Sequence, residues 1–214
     1  LGTTREMWAP QIAAIAGRFR CLGYDTRGHG RSPVVSAGFG IADLADDLAA
    51  LIEHTFGTVP VHVVGLSLGG MTGMALAIRR PDLVASLTPM ATFCKTVSPS
   101  SWVERAATVR AGGVEAISDM IMSRWFTPGL SQSRPEVVAE ARRMLLATPR
   151  EGYAACCDAI RDLDLLADLA GVRAPTLVFS GADDPASPPA LQDEIRAATV
   201  SYTHLAGDSQ MTLP

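Results

Sequence analysis

The stretch Val61-His62-Val63-Val64-Gly65-Leu66-Ser67-Leu68-Gly69-Gly70-Met71-Thr72-Gly73-Met74-Ala75-Leu76-Ala77 decides the fold. A β-branched apolar run comes first and predicts a strand; small apolar helix formers follow the glycines and predict a helix. Between them lies G-x-S-x-G, centred on Ser67, in the strand–turn–helix context of a nucleophile elbow. Gly65 and Gly69 supply the missing Cβ atoms that so sharp a turn requires. The turn presents the serine hydroxyl at the carboxyl edge of a sheet. There the N–H groups of the following helix favour a developing negative charge. A tight turn with an inert serine is the plainer alternative, and the small residues Gly70 and Gly73 argue for the elbow.

Working outward, Met7 to Phe19 reads as a helix with Trp8, Ile12, Ile15 and Phe19 on one face. Arg20-Cys21-Leu22-Gly23-Tyr24 reads as a short strand, ended by the glycine-rich loop Asp25-Thr26-Arg27-Gly28-His29-Gly30-Arg31-Ser32-Pro33. Ile41 to Phe56 predicts a second helix, with Ile41, Leu44, Leu48 and Ile52 inward and Asp43 in the first turn. After the elbow helix, which Pro81 stops, Val84 to Met90 is a weaker strand interrupted by Pro89. From about Thr92 to Ala170 the pattern is helical: Val114, Ile117, Ile121 and Trp125, then Val138, Ala141 and Leu145, then Leu163, Leu166 and Leu169. Pro175 to Ser180 returns to strand, the turn Gly181-Ala182-Asp183-Asp184-Pro185 leaves it, and Pro188 to Ala198 is a last helix. Strands alternating with helices predict an α/β fold with a mostly parallel sheet and helices on both faces. The expected division is a core over 1–92, a helical cap over 93–170 and the rest of the core over 171–214.

Composition narrows the function. The chain of 214 residues is 48% hydrophobic and 19% charged, with a formal net charge of −4. That balance argues against nucleic acid or an anionic membrane as the main partner. No apolar run reaches the length of a bilayer span, and no signal peptide opens the chain. Cys21, Cys94, Cys156 and Cys157 have no C-x-x-C spacing, so reduced, mostly buried thiols and a cytoplasmic setting are expected. The chain opens at Leu1 without an initiator methionine, as a fragment lacking its first strands does.

With the elbow, the Asp25–Ser32 loop and the Gly181–Pro185 turn together, the sequence resembles the α/β-hydrolase superfamily. More closely, it is similar to the 3-oxoadipate enol-lactonases. The narrower resemblance rests on Leu1-Gly2-Thr3-Thr4 running to Trp8, on Gly65-Leu66-Ser67-Leu68-Gly69-Gly70-Met71 and on Arg124-Trp125-Phe126-Thr127-Pro128. Leu146-Ala147-Thr148-Pro149 with Glu151-Gly152-Tyr153-Ala154-Ala155-Cys156-Cys157 completes it. The resemblance implies an α/β-hydrolase fold and ring opening of a small acidic lactone in aromatic catabolism, with neither metal nor organic cofactor. It implies Ser67 as nucleophile, Leu68 and Leu1 as oxyanion-hole N–H donors, and Asp184 rather than Asp183 as the triad acid. A substrate carboxylate calls for a cation, for which Arg124 beside Trp125 is expected and Arg161 comes second. General carboxylesterases and cofactor-free haloperoxidase-like hydrolases share the triad, and a catalytically silent ligand-binding relative is the alternative of another class. Oligomeric state is not legible in the sequence.

The base is the open position. Serine needs a base to remove its proton, and histidine serves near neutral pH. His29 reads as a loop-packing residue, His54 as solvent-facing, and His62 as too close in sequence to Ser67 to turn back on it. His204 remains, in Ser…Asp…His order. Yet only 20 residues separate it from Asp184, and the family's histidine aligns instead with Gln210, which cannot accept a proton. Three readings therefore stand: His204 is a displaced base, Gln210 marks an altered triad, or the tail beyond about Val200 is foreign to the protein.

Overall fold

The computed structural model describes residues 1–35, 38–199 and 201–206, the last six by their backbone alone. Its centre is a four-stranded parallel sheet in the order β1 (Val61–Leu66), β2 (Val84–Met90), β3 (Thr176–Gly181) and β4 (Ser201–Ala206). Parallel neighbours need crossovers rather than hairpins. Helix α3 (Leu68–Arg79) joins β1 to β2, and α9 (Pro189–Ala198) joins β3 to β4. Pro89 does not interrupt β2, which pairs through it opposite Gly65 and ends with Met90 opposite Leu66. The strand β4 was not foreseen in the sequence.

Two further helices precede the sheet. Helix α1 (Ala9–Ile15) follows a 3₁₀ turn, and α2 (Ile41–Phe56) begins where the Asp43 carboxylate accepts the Gly40 N–H at 2.8 Å. Leu44, Leu48 and Ile52 of α2 pack with Met71, Met74 and Leu76 of α3 over Val63, Leu87 and Val178 of the sheet. Met74, Leu76 and Leu87 are fully buried, each contributing roughly 1.5–3 kcal/mol relative to exposure.

Between β2 and β3 the chain is helical: α4 (Pro99–Gly112), α5 (Ser118–Trp125), α6 (Pro128–Ser133), α7 (Pro135–Leu146) and α8 (Arg150–Arg161). These helices hold an apolar cluster of their own around Val109, Ile121, Phe126, Leu145, Tyr153 and Cys157. Gly152 seats α8 on the core loop. A Cβ there would stand 2.7 Å from the Cα of Gly28, so the two backbones meet with no side chain between them.

The structure corrects three local expectations. Arg20 to Tyr24 forms no strand and joins none of the four strands of the sheet among the described residues, since strand composition makes a ladder only where a second segment pairs with it. The helix expected from Met7 to Phe19 ends at Ile15, and Ile15 and Phe19 stay exposed at 44% and 51%. Leu163, Leu166 and Leu169 do not share a helix; only a 3₁₀ turn over Asp168–Gly171 forms there, beside an isolated bridge from Lys95 to Asp164.

Candidate active site

The elbow sits where β1 meets α3. Ser67 is held at φ 51°, ψ −113°, a conformation that disfavours L-residues. Three hydrogen bonds fix it: Ser67 N–H to Met90 O at 2.8 Å, Met71 N–H to Ser67 O at 3.0 Å, and Thr92 Oγ1 to Ser67 O at 2.8 Å. A Cβ on Gly65 would lie 2.7 Å from the Gly70 nitrogen, so helix and strand approach through glycine alone. The N–H of Leu68 belongs to the first turn of α3, where the helix itself offers no acceptor. Ala91, the other non-glycine residue with positive φ among those described, stands beside Ser67 in the same cavity wall. Strain of this kind costs on the order of 1–3 kcal/mol per residue and gathers at functional sites.

Ser67 opens into a cavity of about 210 Å³, which Leu1, Trp102, Arg105, Arg124, Trp125 and Asp184 also line. Asp184 leaves the carboxyl end of β3 and is 7% exposed. Its Oδ1 accepts N–H bonds from Ala186 at 2.8 Å and Ser187 at 3.1 Å, and its Oδ2 accepts the Ser187 hydroxyl at 2.7 Å. Asp183 is exposed and does not line the cavity, whereas Asp184 does.

The far wall carries two arginines. Arg124 lines the cavity where it was expected, with Trp125 beside it. Arg105 was missed. It stacks over Trp102 at 4.5 Å from the ring centre and lines the cavity together with Tyr153. Neither arginine forms an ion pair among the described residues. Burial, and then the like charge of Arg105, lowers the Arg124 pKa from its ordinary value. Two unneutralised guanidiniums facing one hollow leave a positive field for an anion. Arg161, the second choice for that role, is elsewhere: it pairs with Asp162 and Asp158 and borders a separate hollow. Its local acidic neighbours hold it there.

The histidines fall out as follows. His54 is exposed, and His62 is exposed on β1 with Nδ1 2.7 Å from Ser86 Oγ. His29 is buried at 2% exposure in the loop after Tyr24. The backbone of His204 lies within β4 opposite Phe179, two rungs short of the last pair, Gly181 with Ala206. Its side chain and Gln210 lie outside the described residues. Cys94, Cys156 and Cys157 are buried and free, and Cys21 is exposed. Burial pushes the Cys156 and Cys157 thiols up to about 12, which makes both inert as nucleophiles. No described helix is long and apolar enough to cross a membrane.

A parallel sheet, a strained serine at a strand end, a buried aspartate two strands away and helices over both define a class, and comparison with known proteins agrees. The model of the α/β hydrolase fold matches residues 1–209, and the chain belongs to that family, among the 3-oxoadipate enol-lactonases. It is a hydrolase. One relative is 3-oxoadipate enol-lactonase 2 of Acinetobacter baylyi, 37% identical over 186 residues, 86% of this chain and 69% of the relative. The crystal structure of the enol-lactonase from Burkholderia xenovorans LB400 matches with a TM-score of 0.93 at 38% identity, covering 98% of this chain and 80% of that one. A thermophilic esterase from Thermogutta terrifontis, solved with malate bound, matches with a TM-score of 0.90 at 30% identity, covering 97% and 78%.

Proposed function

We propose that the protein opens the ring of a small acidic enol-lactone, 3-oxoadipate enol-lactone, by acyl transfer to Ser67. The observation that carries this reading is the pair Arg105 and Arg124, unneutralised, facing the cavity of Ser67. A neutral ester has no use for two such half-buried cations, whereas a lactone bearing a free carboxylate fits them. The enol-lactonase relatives and the malate-bound esterase support the same ligand class.

In this mechanism Ser67 Oγ attacks the lactone carbonyl while a base takes its proton. The tetrahedral oxyanion is held by the N–H groups of Leu68 and Leu1, each such donor contributing about 10²–10³ in rate. The C–O bond to the ring oxygen breaks, the enol leaves with the proton and becomes a ketone, and water assisted by the same base releases the acid. Asp184 orients the base. His204 takes that role by elimination, since His29, His54 and His62 are engaged or exposed elsewhere. The helices 93–170 act as the cap that carries the anion site, and the reaction belongs to aromatic catabolism in the cytoplasm, as the sequence resemblance and the free thiols imply.

A second reading, a general carboxylesterase, is favoured by the esterase relative at 30% identity. One assay separates them: enol-lactone and neutral 4-nitrophenyl acetate are compared on the wild type and on Ser67→Ala. Preference for the lactone, abolished in Ser67→Ala, supports the lactonase. Equal turnover of both substrates favours the esterase, and turnover that survives in Ser67→Ala removes the acyl-enzyme altogether.

A further inference from the structure

We propose that His29 is a positioning residue for the oxyanion hole, holding the Gly2 N–H through Nε2 and thereby aiming the N–H of Leu1 into the cavity of Ser67. The proposal rests on the acyl-transfer reading of Ser67. Gly2 N–H donates to His29 Nε2 at 3.0 Å, a buried bond spanning 27 residues of sequence. His29 Nδ1 stands 3.1 Å from Arg27 O, which can only accept, so the proton resides on Nδ1 and Nε2 is free to accept.

The ring is suited to that task because it stays neutral. Burial, the largest cause, pushes its pKa down to about 4, against the opposing pull of the Arg27 carbonyl and the Asp25 carboxylate. The loop that carries it is stiff. His29 N–H bonds Thr26 O at 2.9 Å, Ser32 N–H bonds His29 O at 2.9 Å, and Gly28 N–H bonds Pro33 O at 2.9 Å. Arg27 is clamped to Asp47, and Gly28 abuts Gly152 of α8.

The other end of the bond has equally little freedom. Gly2 takes φ +83°, and a Cβ on it would stand 2.6 Å from Leu145 Cδ1. The segment has a second tie, Arg5 N–H to Asp25 Oδ1 at 2.7 Å, but that bond is exposed and lies four residues beyond Leu1. The buried anchor next to the donor is His29. Catalytic groups need placement to within about 0.5 Å, which a neighbour's hydrogen bond of this kind supplies.

The test compares His29→Asn with His29→Gln. The shorter amide keeps a donor for Arg27 O but cannot span to Gly2; the longer one returns an acceptor to that N–H. Cooperative melting is checked first, and His29→Ser stands in for a variant that fails it. Three quantities are read: kcat on 4-nitrophenyl acetate, affinity for phenylboronic acid as a tetrahedral mimic, and affinity for glutarate as a ground-state anion. His29→Asn is expected to lose about 10–100-fold in kcat and in boronate affinity with glutarate unchanged, and His29→Gln to recover most of both. Wild-type kcat and boronate affinity in folded His29→Asn overturn the proposal. So does an equal loss in both variants, or a parallel loss of glutarate. Failure of the Ser67 reading looks different: the wild type turns over neither the enol-lactone nor the ester, or Ser67→Ala still turns over one of them.

Discussion

Replacing Gly152 with alanine sets two effects of known size against each other. Helix propensity favours the change by about 1 kcal/mol at most, since Gly152 lies in the first turn of α8. Packing opposes it. The new Cβ would fall 2.7 Å from Gly28 Cα and nearer still to the Gly28 carbonyl, where carbon atoms need about 3.5–4.0 Å. Both neighbours are backbone, so no side chain can rotate away, and α8 must lift by about 1 Å. Overpacking of this kind costs about 1–3 kcal/mol, and rigid partners place it at the upper end. The net loss is about 2 kcal/mol, or a fall in Tm of roughly 4–8 °C for a chain of this size. Tyr153, the next residue, lines the Ser67 cavity and packs beside Gly2, so KM rises as well. Differential scanning calorimetry with steady-state kinetics measures both, and Gly129→Ala, which meets nothing within 4 Å, is the control. An unchanged or raised Tm in Gly152→Ala refutes the reasoning, because it means that α8 is not seated on that contact.

Further outcomes follow from the site. Arg105→Gln and Arg124→Gln should each raise KM for the enol-lactone about 10–100-fold while leaving 4-nitrophenyl acetate within about threefold, the selectivity of a lost charge-assisted bond; equal effects on both substrates would deny them the anion role. His204→Gln should lower kcat by at least about 10³-fold without shifting Tm, as loss of a general base does; full activity would move the base to the residues after Ala206. Stability should fall with acid through His29. Its pKa is about 4 in the fold against about 6.5 unfolded, so between those values the unfolded chain takes up a proton that the native one refuses. That linkage amounts to about 3 kcal/mol at most, fully expressed by about pH 4 and absent above pH 7. Melting of wild type and His29→Gln across pH 4–7 checks it: the wild type should lose more stability than the variant on acidification, and parallel curves would contradict the shift.

Local signals reached furthest where local geometry decides. The elbow was legible because β-branched residues, glycines and small helix formers each act within a few residues of Ser67. Helix α2 was legible to its ends, since Ile41, Leu44, Leu48 and Ile52 fix the inward stripe and Asp43 fixes the start. Arg105 was not, because α4 has little apolar stripe to announce it; only tertiary placement puts it opposite Ser67. The spacing of Trp102 and Arg105, one helical turn apart, was the available hint. Arg161 misled in the opposite way, though Asp158 and Asp162 beside it in sequence already offered it partners. Arg20 to Tyr24 has strand composition, but a ladder is a property of two segments and composition describes one.

The contact of Gly28 with Gly152 has a practical consequence. It ties the loop that carries His29 to the helix that carries Tyr153, a wall of the Ser67 cavity. Variants meant to reshape the pocket from the helical side are best made with both glycines kept, because a change at either one is felt on both sides of the seam.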